Sequence, residues 1–138
     1  MMGVILHSDE FKNSYGQKVR RPLEFVAASM RALDVKVDVK DSAILRGVMV
    51  LLGQPLFQWS TPDGYPDYAG AWINTNGLLG RWNIALGLTQ DGGRGIKADV
   101  KTPTTQAGLK TAEQVVDYWT TRLLNRAMAP ADRDKVIA

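Results

Sequence analysis

The sequence predicts an all-α domain of about five helices packed around one core, with one long loop rich in aromatic residues, proline and glycine. Apolar residues recur at three- and four-residue spacing in several segments. Residues that cap helices stand at the ends of those segments. The length of 138 residues suits a single domain over 1–138, because a chain of this size buries enough surface for one core.

The first long helix is predicted over residues 22–34, where the apolar positions share one face. Pro22 suits the first helical position, and Glu24 lies in the first turn, where the helix dipole favours an anion. Valines then alternate with charged residues over 35–40, which favours an extended loop, with an edge strand as the alternative. Near the start of the chain, the apolar residues over 4–6 resemble the end of an amphipathic helix.

A second helix is predicted to run to about Leu52, with Asp41 or Ser42 as its cap. It is apolar on most sides, which indicates a central position, and Gly53 is a natural stop. The long loop then begins, with residues 54–71 reading QPLFQWSTPDGYPDYAGA. Loops of this length are uncommon in compact domains and are often functional.

A third helix is predicted over about 76–88, with Asn74 or Asn76 as its cap. Six apolar residues line it: Leu78, Leu79, Trp82, Ala85, Leu86 and Leu88. Residues 91–95 break the chain, and residues 96–110 are polar and threonine-rich, which predicts a surface excursion.

A capping box over Thr111 to Gln114 predicts the start of a fourth helix, which we expect to run to about Met128. Pro130 can open a last helix. The chain begins and stops within apolar patterns, and we therefore expect a fragment from the C-terminal region of a longer protein.

Composition excludes several classes of function. Seventeen basic and 14 acidic residues leave a net charge of +3, too little concentrated charge for a nucleic-acid footprint. The absence of cysteine excludes disulfides, thiolate zinc sites and cysteine nucleophiles, and a single histidine excludes a multi-histidine metal site within one chain. The longest strongly apolar stretch, Val48 to Leu52, is far too short for a membrane span. No metal and no cofactor are predicted.

At its centre the sequence resembles a known family. Residues 52–88, LGQPLFQWSTPDGYPDYAGAWINTNGLLGRWNIALGL, resemble the C-terminal part of the bacterial family called domain of unknown function 1800. Two earlier segments resemble it as well: ILHSDEF at 5–11 and KVRRPLEFVAASMRALD at 18–34. The most specific element is the succession of GQPLF, PDGYPD, AW and RWN within 31 residues.

The resemblance implies a predominantly helical chain that belongs to a longer protein. Many family members carry export signals, so the resemblance also implies an exported parent protein, although no targeting signal is recognised in this sequence. The family supplies no settled activity and no catalytic residues to carry over. Enzyme activity is therefore left open, and none is favoured for this segment alone.

The long loop and the following helix supply the candidate ligand-binding residues. Aromatic faces beside carboxylates and amides suit a sugar, because rings stack and polar groups take hydroxyls. Seven residues form this candidate site: Gln54, Trp59, Asp63, Tyr65, Asp67, Trp72 and Arg81. The competing interpretation is structural, with Pro-Asp turns and aromatics that pin the loop onto the helices.

Individual residues of this set have alternatives of their own. Asp63 and Asp67 could be an acid and base or two ligands of a hard cation, but two loop carboxylates four residues apart are common. Arg81 could anchor an anion or reach back to either aspartate, and the simpler interpretation is an arginine that ties the loop to its neighbouring helix.

Three other patterns favour simple interpretations. His7, Ser8 and Asp9 are triad residue types, but neighbours in sequence do not make a triad, and a surface or capping histidine is expected. The basic cluster of Lys18, Arg20 and Arg21 has acidic neighbours and indicates a solvated loop. Three glycines lack the strand and the Gly-Lys-Ser/Thr of a phosphate loop and indicate a helix stop: Gly92, Gly93 and Gly95.

The sequence offers few candidate catalytic residues, with one histidine and no cysteine. Two functional hypotheses follow. The first is a non-catalytic helical interaction or scaffold module, with a protein partner such as the N-terminal region of the same protein or a genomic-neighbour protein, and with oligomerisation open. The second is the ligand-binding part of a carbohydrate- or polymer-active protein that uses the loop at 54–72.

Overall fold

The computed structural model describes residues 1–90 and 96–138. These residues form eight α-helices and contain no strand, which confirms the all-α prediction. The predicted break over residues 91–95 lies outside the described residues. The helices follow one another along the chain as α1 (Met2–His7), α2 (Asp9–Asn13), α3 (Pro22–Ala32), α4 (Ser42–Leu51), α5 (Thr75–Thr89), α6 (Lys101–Gln106), α7 (Ala112–Leu124) and α8 (Pro130–Ile137).

Residues identified in the sequence begin three helices as expected, whereas Asp41 precedes α4 without a side-chain cap bond. The carboxylate of Glu24 accepts the backbone N–H of Arg21 at 3.0 Å, just ahead of Pro22 at the start of α3. The side chain of Asn74 accepts the N–H of Gly77 and caps α5. Thr111 and Gln114 form the predicted capping box of α7. Local chemistry therefore fixes where these three helices start.

Backbone conformation ends two helices earlier than the apolar pattern suggested. The expected continuation of the fourth helix to Met128 is wrong, because Asn125 adopts the left-handed conformation at φ 52° and α7 ends at Leu124. Asp34, at φ 51°, similarly follows the end of α3 at Ala32. Asparagine and aspartate tolerate this region better than most side chains do, so both suit helix ends.

The link from α3 to α4 has no regular structure over 35–38 and then forms a single 3₁₀ turn over Val39–Asp41. The link is therefore a loop and not an edge strand, and its backbone is extended at Asp38. Gly53, at φ +80°, follows α4 in the left-handed region that glycine adopts without strain. It therefore stops the helix as predicted.

The core consists of two adjoining clusters that share the half-buried side chains of Leu45 and Ile84. The first cluster centres on Val26, Met49 and Leu52, where α3 meets α4. The second centres on Leu33, Leu88 and Ile96. One small core thus joins α3, α4 and α5.

The segment over 96–110 is more than the surface excursion that its polarity suggested. Ile96 is buried in the second core cluster, and α6 forms within the segment. The side chain of Asp99 accepts the backbone N–H groups of Lys101 and Thr102 at the start of α6. The indole of Trp119 on α7 donates to the hydroxyl of Thr104 at 3.0 Å, which ties α6 to α7.

Met49 is the buried residue of α4, whereas Val50 and Leu51 are exposed. The expectation of a central helix therefore holds for one face of α4.

At the N-terminus, α1 and α2 bury no residue, and the ring of His7 bonds the carbonyl of Gly3 within its own helix. In the described part of the chain, no helix combines the length and apolar composition needed to cross a membrane.

The last helix, α8, is held to α7 by a bidentate ion pair. The guanidinium of Arg133 donates to the two carboxylate oxygens of Asp117 at 2.7 and 2.9 Å. This bonding lowers the pKa of Asp117 below its ordinary value of 3.8. A depressed folded-state pKa gives stabilisation that is complete above the ordinary value and is lost as the pH falls through the lower one.

We therefore expect α8 to loosen in acid. Hydrogen exchange of the amides of residues 132–137 should accelerate as the pH falls below about 4, after correction for the intrinsic exchange rate. Asp117→Asn should cause the same loss of protection at neutral pH. Asp132→Asn is the matched control, because Asp132 pairs with Lys135 inside α8. Equal protection in the two variants would contradict the role given to Asp117.

Candidate functional site

The aromatic residues of the long loop form a short stack. The ring centroids of Trp59 and Tyr65 lie 4.6 Å apart, and those of Tyr65 and Trp72 lie 6.1 Å apart. Trp72 is buried, whereas Trp59 keeps 42% of its surface exposed. The stack therefore runs from the protein interior to the solvent, and Trp59 is the ring at its outer end.

Asp63 is held by its own loop. Its carboxylate accepts hydrogen bonds from the hydroxyl of Thr61 and from the indole N–H of Trp59. The bond from Thr61, followed by that from Trp59, lowers the pKa of Asp63. Asp63 is exposed and ionised at neutral pH, and its contacts organise the turn around Pro62.

The other polar groups of the stack close the loop upon itself. The hydroxyl of Tyr65 donates to the carbonyl of Pro55, ten residues earlier. The indole N–H of Trp72 donates to the carbonyl of Pro66 at 3.0 Å. These bonds support the structural interpretation of the aromatic loop, because they satisfy polar atoms of rings that pack inward.

Gln54 links the start of the loop to α3. Its side-chain oxygen accepts the backbone N–H of Leu23 at 2.9 Å, across 31 residues of sequence, and Gln54 itself is buried. The N–H groups of the first helical turn have no partner within the helix, so this bond satisfies one of them.

Arg81 of α5 bonds the backbone of the loop before α3. Its guanidinium donates to the carbonyl of Arg20 at 2.8 Å and lies 5.0 Å from the centre of the Phe25 ring. Burial lowers the pKa of this guanidinium from its ordinary value. The alternative in which Arg81 reaches Asp63 or Asp67 is not what the structure shows, since Thr61 and Trp59 bond Asp63 and Arg21 faces Asp67, at 3.7 Å.

The basic cluster before α3 is largely engaged by carboxylates. Lys18 and Arg21 both pair with Glu24, at 3.6 and 2.9 Å. These bonds lower the pKa of Glu24, with the backbone N–H of Arg21 as the largest cause. The cluster therefore supports the expected solvated loop.

A feature that sequence reasoning missed is the apolar surface of α5. Four large apolar side chains at helical spacing are exposed, and we call them the α5 stripe: Leu78, Leu79, Trp82 and Leu86. Leu79 keeps 57% and Trp82 68% of its surface exposed. The apolar periodicity that predicted the helix was visible, but periodicity does not say which apolar residues the chain itself covers.

An apolar groove of about 290 Å³ lies between α4 and α5, with α3 as its floor. We call it the α4–α5 groove. The wall residues on α4 are Ile44, Leu45, Val48 and Leu51. The wall residues on α5 are Asn83, Ile84, Gly87 and Leu88. Val26, Met30 and Ile96 complete the lining, and among the described residues that line the groove Asn83 is the only one with a polar side chain.

The family model described as "Protein of unknown function (DUF1800)" matches residues 1–138. The chain belongs to the DUF1800 family. Comparison with curated proteins and with solved structures gave no match.

Membership in the DUF1800 family assigns no activity to this chain, because the family is itself one of unknown function. Within the described residues of this DUF1800 chain, no three histidine or acidic side chains come together in a way that could hold a metal ion. The candidate ligand-binding role of the seven loop and helix residues stays a prediction.

Phe57 is a second exposed residue of this DUF1800 chain that sequence reasoning passed over. It stands in the GQPLF element with its ring fully exposed, and its backbone takes φ 60°. A bulky residue in the left-handed region is a strained exception. The composition of the loop gave no signal for this conformation, since glycine or asparagine is the usual residue there.

Proposed function

We propose that this domain is a helical protein-interaction module that docks on a protein partner through the α5 stripe and the α4–α5 groove. The observation that carries the proposal is the exposure of Leu78, Leu79, Trp82 and Leu86 on one helix, whose other face lines an apolar groove. Contiguous exposed apolar surface marks interaction sites in folded proteins.

Energetics support the proposal. Burying one large apolar side chain is worth about 1.5–3 kcal/mol, and the stripe holds four such side chains. Tryptophan is also enriched among the residues that dominate binding energy at interfaces. A scaffold role agrees further with a sequence that has one histidine and no cysteine.

The test is photo-crosslinking from chosen positions in cells that naturally produce the protein. A photoreactive phenylalanine analogue at Trp82 should crosslink to a defined partner, and the same analogue at Tyr15 is the control, because Tyr15 is exposed but far along the chain from the stripe. Leu79→Gln should suppress the crosslink. Equal crosslinking from both positions would contradict the proposal.

The partner identified in this way then permits a quantitative prediction. Trp82→Gln is expected to weaken its binding by about thirtyfold, the equivalent of a 2 kcal/mol hot-spot loss. The free energy of unfolding should change by no more than about 0.5 kcal/mol, because the ring is exposed in the isolated domain. Isothermal titration calorimetry and urea denaturation separate the two effects. A variant that unfolds more easily but binds normally would contradict the docking role.

A second candidate function uses the aromatic loop as a saccharide-binding surface. The observation that favours it is the half-exposed ring of Trp59 beside the ionised carboxylate of Asp63. A saccharide that stacks on Trp59 should change the tryptophan fluorescence of the protein, and Trp59→Ala should abolish the change. A response that survives this substitution would remove the loop from consideration.

A further inference from the structure

We infer that the ligand of the aromatic loop is an amino sugar, whose ring stacks on Trp59 and whose ammonium group pairs with the carboxylate of Asp63. This inference rests on the second candidate function, the saccharide-binding surface, and names the class of saccharide. It is argued from the way in which the loop holds the ring of Trp59, from the second carboxylate oxygen of Asp63 and from the charges around that oxygen.

The ring of Trp59 is exposed and yet fixed in place. Its centroid lies 4.6 Å from that of Tyr65, and its indole N–H donates to Asp63 at 3.3 Å. Tyr65 is itself held, because its hydroxyl bonds the carbonyl of Pro55. With 42% of its surface open to solvent, Trp59 offers part of a flat apolar face, and a sugar ring can cover this face without first immobilising the tryptophan side chain.

A tight turn fixes the carboxylate of Asp63 beside this ring. The backbone N–H of Gly64 donates to the carbonyl of Thr61 at 3.5 Å, and Gly64 takes φ +75°, which glycine adopts without strain. Asp63 stands inside this turn, and its oxygen Oδ1 accepts both the indole N–H of Trp59 and the hydroxyl of Thr61. Among the described residues no other side chain donates to Asp63, so its oxygen Oδ2 can accept a hydrogen bond from a ligand.

No lysine or arginine of the described residues pairs with Asp63. The other acidic residue of the loop, Asp67, faces Arg21 at 3.7 Å, and residues 54–72 contain no basic residue of their own. The bond from Thr61, followed by the bond from the indole, keeps the pKa of Asp63 below its ordinary value, so the carboxylate is charged at neutral pH. A cationic group on the ligand therefore complements this end of the loop.

The exposed ring and the charged carboxylate together favour an amino sugar. The ring carbons of a pyranose supply an apolar face that stacks on an indole, and an ammonium group on the sugar supplies the cation for Oδ2 of Asp63. A cation near an indole is also attracted to the negative face of the aromatic ring. A neutral saccharide leaves the charge of Asp63 without a partner, and a small cation that has no ring leaves most of the Trp59 face uncovered.

The test compares three oligosaccharides of the same length and linkage. They are built of glucosamine, N-acetylglucosamine and glucose, so that one group on each ring changes from ammonium to acetamide to hydroxyl. Tryptophan fluorescence of the whole chain is followed at a pH at which the glucosamine is protonated. We expect the glucosamine oligomer to bind about fivefold more tightly than either neutral oligomer, and we expect about 0.5 M salt to remove this preference by screening the charges.

Asp63→Asn removes the charge and keeps the loop. The amide oxygen still accepts hydrogen bonds from Trp59 and Thr61, so the geometry of the turn is retained. We expect this variant to bind the three oligomers with equal affinity. Asp9→Asn is the matched control, because Asp9 is an exposed aspartate of α2 and its substitution changes the net charge of the protein by the same amount. The control variant should keep the fivefold preference for the glucosamine oligomer.

The outcomes distinguish this inference from the saccharide-binding surface on which it rests. Equal binding of the three oligomers by the wild-type chain leaves the saccharide-binding surface standing and overturns the amino sugar. No response to any oligomer overturns both. A preference for the glucosamine oligomer that survives Asp63→Asn places the ammonium group elsewhere and overturns the inference. Tetramethylammonium that binds as tightly as the glucosamine oligomer would show that the loop recognises a cation alone, which overturns it as well.

Discussion

Trp72→Ala is expected to lower the free energy of unfolding by about 3–5 kcal/mol, the usual cost of removing a buried tryptophan. The ring is buried, it packs beside Tyr65, and its N–H donates to the carbonyl of Pro66. The substitution removes apolar contacts, leaves a cavity and frees a backbone carbonyl. Urea denaturation followed by circular dichroism at 222 nm measures the loss.

Two further variants show whether burial causes the effect. Trp59→Ala removes a ring of the same type from the exposed end of the same stack, and we expect it to cost about 0.5–1.5 kcal/mol, the value of an aromatic pair. Trp72→Phe keeps a ring in place but removes the N–H, and should lose an intermediate amount. Equal losses at positions 59 and 72 would show that the stack does not anchor the loop through its buried end.

The helices that build the core were predictable because their signals are local. Proline at the start of α3, asparagine before α5 and the threonine–glutamine pair before α7 act within one turn of the chain. The short helix α6 was missed because Lys101-Thr102-Pro103 carries no apolar periodicity. It forms where Asp99 accepts two backbone N–H groups and where Trp119 of α7 reaches Thr104. The contact between Trp119 and Thr104 joins residues that are 15 positions apart, so local sequence does not predict it.

The bonds of the candidate ligand-binding residues were not predictable from the sequence either. Sequence reasoning gathered Gln54, Trp72 and Arg81 into one group, and the structure gives each of them a role. Their partners, however, are the backbone groups of Leu23, Pro66 and Arg20. Backbone N–H and carbonyl groups occur at nearly every position, so residue types carry no signal for such bonds.

The exposed stripe on α5 was hidden for a related reason. An apolar face at helical spacing predicts burial, and for Leu88 that expectation is fulfilled. For Trp82 and Leu79 the same pattern persists on a surface that the described residues leave open. The helical spacing of apolar residues shows that a helix face is apolar. It does not show whether the surface that covers this face belongs to the same chain.

Gln54→Ala should destabilise the domain by about 1–3 kcal/mol, because it removes the acceptor of the Leu23 N–H from a buried position. That N–H lies in the first turn of α3, where the helix itself offers no partner. The bond also ties the loop to α3 across 31 residues, so its loss acts on two elements at once. Thermal unfolding and amide exchange at Leu23 both report the change.

Gln58→Ala is the matched control, since Gln58 is an exposed glutamine of the same loop. It should change the free energy of unfolding by no more than about 0.5 kcal/mol. If both substitutions cost the same, the effect belongs to loop composition and not to the bond at Leu23. If Gln54→Ala alone accelerates exchange at Leu23, then the first residue of the aromatic loop is a cap of α3. In that case, ligand binding by the loop is to be sought at Trp59 and Asp63, at its solvent-facing end.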